Sequence, residues 1–79
     1  MNEKNNVFKT KDLYLASFLK ARGIKLLKVE KFGSIATFHF ENKDGMEKII
    51  TGFFNNKELV NANRLIGSIR DLKSLVHNI

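Results

Sequence analysis

The stretch Ile24-Lys25-Leu26-Leu27-Lys28-Val29-Glu30-Lys31-Phe32-Gly33-Ser34-Ile35-Ala36-Thr37-Phe38-His39-Phe40-Glu41 reads as two strands joined by a turn. The second half alternates, placing Ala36, Phe38 and Phe40 on one face and Ile35, Thr37, His39 and Glu41 on the other. The first half alternates imperfectly, because Leu26 and Leu27 are adjacent. A two-residue turn centred on Phe32-Gly33 would set Val29 opposite Ala36, Leu27 opposite Phe38 and Lys25 opposite Phe40. A bulged three-residue turn would shift that pairing by one. Either way the outer face would carry Ile24, Leu26, Ile35 and His39. A two-stranded ribbon is marginal alone and has two open edges, so helices must cover one side of it.

The flanking sequence supplies those helices. Thr10 is a suitable N-cap, and a first helix is expected over residues 11–22, with Asp12 in its first turn. Tyr14, Leu15, Phe18, Leu19 and Ala21 share its apolar arc, which leaves Ser17 and Lys20 outward. Gly23 is placed to close it in the left-handed conformation, with Ile24 touching Leu19. Residues 46–54 admit two readings. Asp44-Gly45 ahead of Ile49-Ile50-Thr51 suits a third strand. Met46, Ile49, Ile50, Phe53 and Phe54, however, recur at helical spacing, and Asp44 with Glu47 makes a capping-box pair, so a helix is preferred. A last helix is expected from an Asn61 cap to about His77, burying Leu65, Ile66, Ile69, Leu72 and Val76, with Val60 pinned to the core. Met1–Asn6 reads as a disordered tail, Val7-Phe8 as a short extended arm. Residues 7–79 then form one small α+β domain: N-terminal helix, antiparallel hairpin, two C-terminal helices.

Thr10, Asp12-Leu13-Tyr14-Leu15-Ala16-Ser17-Phe18-Leu19, Gly23, Phe38-His39-Phe40 and Leu72-Lys73 form a pattern. It resembles that of a family of short uncharacterised bacterial and phage proteins, over roughly residues 8–77. The resemblance implies a free-standing small domain, often borne on mobile elements, and brings no established activity with it.

At 79 residues the chain allows one domain, which buries only about 60% of its unfolded surface. It has no cysteine, so no disulfide or thiolate-metal staple is expected. With neither a membrane-length apolar run nor a signal-peptide start, a cytoplasmic location is expected, without membrane attachment. The two histidines, His39 and His77, lie far apart. His39 near Glu41, Asp44 and Glu47 is a solvated strand residue on this reading, since metal sites need converging ligands. The serines lack a nucleophile context, and no phosphate-binding glycine loop is present. The chain is therefore expected not to be an enzyme. No catalytic residue, metal, cofactor or small-molecule substrate is expected.

Charge gives the better lead. The net charge is +6, and it is concentrated in residues 1–31, where eight basic residues face three acids, against six and five in the remainder. Lys20, Arg22, Lys25, Lys28 and Lys31 fall within twelve residues. On the expected hairpin they would follow the helix end and the first strand, where they could track a nucleic-acid backbone. The plainer role for such lysines is to blunt an exposed strand edge against aggregation. Arg70, Lys73 and His77 form a second, thinner basic stripe on the last helix. The apolar outer face of the ribbon suggests instead a protein partner or a homodimer, unless the Val7-Phe8 arm covers it.

Overall fold

Alternation in the second half of the hairpin does produce a strand. In the computed structural model, which describes residues 6–79, β3 spans Ile35–Glu41 and pairs antiparallel with β2, Leu26–Phe32. The turn falls one residue later than the sequence suggested. Phe32 faces Ile35 across the ladder, so Gly33 and Ser34 are the central residues, and Gly33 has a φ of 61°. Glycine at the first central position is the requirement of a type II′ turn, which removes the need for Phe32 to adopt a left-handed backbone. The register moves by two: Val29 faces Phe38 and Lys31 faces Ala36. The adjacent leucines are reconciled by a bulge, since Leu26 pairs with Phe40, Lys28 with His39, and Leu27 lies between. Leu26 thereby stays against the core while Leu27 is exposed.

The arm at Val7-Phe8 is a strand, β1 (Val7–Thr10), and it pairs antiparallel with the other edge of β3. The sheet order is β1-β3-β2, so β3 is central and its second edge is closed within the chain. The ribbon of one chain therefore cannot meet another through β3. Asn6 continues the arm, its carbonyl accepting from the Asn42 amide at 2.9 Å. The expectation for Met1–Asn5 lies outside the described residues.

Thr10 is committed to β1, where it faces Phe38, and the N-cap of α1 (Leu13–Ala21) passes to Asp12. The Asp12 carboxylate accepts from the amides of Tyr14 (2.9 Å) and Leu15 (3.1 Å), and the Thr10 hydroxyl accepts from the Asp12 amide. The C-terminus follows the Schellman pattern: Ile24 N–H donates to Leu19 carbonyl, Gly23 N–H to Lys20 carbonyl, with Gly23 at a φ of 90°. Ile24 is buried by that cap and belongs to the core, not to an outer face. Ser17 is buried rather than outward. Its hydroxyl donates to the Leu13 carbonyl at 2.8 Å, so no unsatisfied polar group accompanies the burial. Tyr14 is correspondingly exposed.

Helical spacing prevails over strand propensity at Met46–Phe54, which is α2. Its N-cap is Gly45 (φ 90°), not Asp44, so Glu47 falls one position short of the capping box and no side chain caps the helix. Met46 is buried, Ile49, Ile50 and Phe53 are half-buried, and Phe54 is exposed. Helix α3 (Ala62–His77) starts where expected, the Asn61 side chain accepting from the Arg64 amide at 3.0 Å. Its inward line runs through Leu65, Ser68, Leu72 and Val76, and Ile66, rotated off that line, is exposed. The helices lie on the face of the sheet that carries Phe38 and Phe40. These two pack with Leu15, Phe18, Leu19, Met46 and Leu72 in one core cluster. The architecture is α+β, with three strands and three helices among the described residues.

Candidate functional site

A strand turns successive side chains to opposite faces, and that decides the fate of the basic segment. Lys28 pairs with His39 on the outer face of the sheet. Lys31 pairs with Ala36 on the face toward the helices. Three of the five, Lys20, Arg22 and Lys28, are paired with acids. Lys20 lies 3.7 Å from Asp71 of α3, and Arg22 is paired with Glu58 while its guanidinium stands 5.6 Å over the Phe18 ring. Lys28 lies 3.5 Å from Glu30. Lys25 is exposed and uses its backbone carbonyl to accept from the Glu41 amide. The five residues are therefore not one surface.

Lys31 belongs to a different constellation. The β1–α1 junction brings Lys11, the hairpin tip brings Lys31, and the last turns of α3 bring Lys73 and His77 to the rim of one cleft of about 400 Å³. Its floor is apolar, formed by the half-buried side chains of Leu13, Ala36 and Val76 with Phe38 beneath, and Ser34 of the turn completes the lip. Among the described residues, no acidic residue lines it. Asp12, next to Lys11 in the chain, points its carboxylate into the first turn of α1. The C-terminal end of α3 favours cations here, since its last carbonyls carry partial negative charge. The Lys31 ammonium donates to the Val76 carbonyl at 3.3 Å, which leaves it two further N–H donors. Chemically, the cleft is a set of ammonium donors around an apolar floor, suited to an anionic group attached to something apolar.

The second basic stripe is thus split as well, with Lys73 and His77 at the rim and Arg70 outside it. Of the expected interface residues, Ile24 and Leu26 are drawn into or against the core and His39 is only 5% exposed. Ile35 remains exposed, facing an exposed Phe32 across the ladder. Lys11 was missed from sequence, where nineteen residues separate it from Lys31 and nothing marks the two as neighbours. Among the described residues, no group of three or more His, Asp or Glu side chains could hold a metal ion. No helix among them is long and apolar enough to cross a membrane.

The model of a family described as a domain of unknown function (DUF5659) matches residues 5–78. The chain belongs to that family. No curated protein and no solved structure matches it.

In this DUF5659 domain the outer face of the sheet carries a polar device of its own. His39 is buried rather than solvated, and the Glu30 carboxylate accepts from its Nε2 at 2.9 Å. The Lys28 ammonium, together with that hydrogen bond, holds the Glu30 carboxyl below its ordinary value of 4.5. A carboxyl whose pKa is lowered on folding stabilises the fold above its unfolded pKa, and that contribution is lost as pH falls through the folded value. Urea midpoints should therefore show the native protein above a Glu30→Gln variant at neutral pH. The two should converge as pH drops below about 4.5. A gap that persists unchanged at pH 3 would contradict the role given to the Glu30 charge.

Proposed function

We propose that this DUF5659 domain is a non-enzymatic, cytoplasmic binding module that engages a nucleic-acid backbone at the Lys11–Lys31–Lys73 cleft. One observation carries the reading: three lysines from distant parts of the chain line one cleft that, among the described residues, no acidic residue lines. Lys20, Arg22 and Lys28, by contrast, are each offset by an acid. A phosphodiester backbone is the common cytoplasmic polyanion that such an arrangement attracts. Lysine serves backbone contact well and base reading poorly, because a point charge lacks the bidentate geometry of arginine.

Fluorescence anisotropy with a labelled oligonucleotide over a salt series tests this. Log affinity should fall linearly with log salt, and Lys11→Gln, Lys31→Gln and Lys73→Gln should each reduce the slope by about 0.7–0.9. Absence of binding at low salt, or slopes unaltered in all three variants, would remove the reading.

A second reading is favoured by the exposed Phe32–Ile35 pair at the hairpin tip. In it the domain is a protein-interaction module: a homodimer, or an inhibitor of a host or defence protein carried by a phage or other mobile element. A monomer by light scattering whose Ile35→Asp variant keeps every partner would count against it.

A further inference from the structure

We infer that the cleft takes an unpaired nucleotide of a single strand, its base lowered onto the apolar floor and its flanking phosphates held at the ammonium rim. This rests on the nucleic-acid reading above and names the form of nucleic acid that suits the site. Electrostatics alone would need only a flat patch of lysines. Here the lysines instead surround a concavity of about 400 Å³, within the range of small-molecule sites, which is roughly 300–1,000 Å³. The floor is what a duplex cannot use. Its bases are stacked inside a convex cylinder of phosphates, so a duplex meets the rim and leaves Leu13, Ala36 and Val76 wet. A single strand can satisfy both parts at once. Its backbone can follow the rim lysines while an unstacked base presents a flat apolar face of any sequence. Ser34 and His77 at the lip offer hydrogen-bonding groups to the sugar or to the base edge. Without arginine at the rim, little discrimination among bases is expected.

The test compares three labelled ligands of equal length by anisotropy at one salt concentration: an oligothymidine strand, the same strand made abasic, and a duplex. The intact strand should bind on the order of tenfold more tightly than the abasic strand and the duplex. Ala36→Leu, which fills the floor and keeps all three lysines, should bring the intact strand down to the abasic level; unchanged duplex binding shows that Lys31, its partner across the ladder, still serves. Should that variant fail to fold by circular dichroism, the abasic comparison decides alone. Equal binding of intact and abasic strands, or full preference retained in a folded Ala36→Leu, would overturn the inference while the backbone reading stands. Displacement of the strand by micromolar thymidine monophosphate would also overturn it, assigning the cleft to a free nucleotide. If no ligand binds at low salt, the backbone reading itself fails and the inference goes with it.

Discussion

Replacing Phe40 with alanine should cost about 3–5 kcal/mol, the range for deleting a buried aromatic side chain. The position leaves little scope for relaxation. Phe40 is fully buried on the central strand and is flanked across the ladder by Phe8 on β1 and Leu26 on β2. Its ring meets the core cluster that joins the sheet to α1, α2 and α3. A domain of this size has a total stability of only about 4–12 kcal/mol, so the variant should lose at least a quarter of it and, at the low end, all of it. Phe54, 60% exposed at the end of α2, is the internal control. Phe54→Ala, which gives up only an exposed edge contact with the Phe53 ring at 5.1 Å, should change stability by no more than about 1 kcal/mol. Urea titration followed by circular dichroism checks both. A loss under 1 kcal/mol at Phe40 would mean that the sheet does not bury its inner face against these helices.

Reversing the charge of the cleft should have the largest effect on binding. Each phosphate contact releases counterions, and at about 50 mM salt three contacts together contribute on the order of a thousandfold in affinity. The triple variant Lys11→Glu, Lys31→Glu, Lys73→Glu should lose at least that much. The contrasting triple, Lys20→Glu, Arg22→Glu, Lys28→Glu, reverses equal charge at positions already paired with Asp71, Glu58 and Glu30. Its net charge is the same, so it controls for the long-range field of the whole molecule. Its loss should be smaller by a factor of ten or more. It should also destabilise the fold, because three carboxylates lose their cations, and circular dichroism therefore accompanies the measurement. Equal losses in two folded variants would show that only total charge matters and that the cleft has no special part.

What the sequence made legible was local. Gly23 after an amphipathic arc fixed the end of α1 down to its hydrogen bonds, because a left-handed residue there has few alternative uses. Asn61 fixed the start of α3 for the same kind of reason. The hairpin was legible as an element but not in register. Gly33 can serve as the first or the second central residue of a turn, and the choice moves every pair on β2. The leucine pair at 26 and 27 signalled an irregularity, and the bulge is its resolution. Caps were misplaced where a neighbour competed, Thr10 being taken by β1 and Asp44 displaced by Gly45.

The candidate site was legible only in part. Lys31, Lys73 and His77 were singled out, but within stripes that the fold does not keep together. Lys28 and Lys31 are three apart on a strand, and that spacing alone sends them to opposite faces. Lys11 is brought to Lys31 and Lys73 only by the packing of the β1–α1 junction and α3 against the hairpin, and such packing leaves no trace in a linear charge count.

Amide chemical-shift mapping on titration with a short oligothymidine strand addresses the central claim most directly, because it reports where on the molecule the polyanion rests. The largest shifts are expected at residues 11–13, 31–36 and 73–77, in three separate parts of the chain at once. Shifts confined to residues 20–28, or none at all under low salt, would contradict that claim.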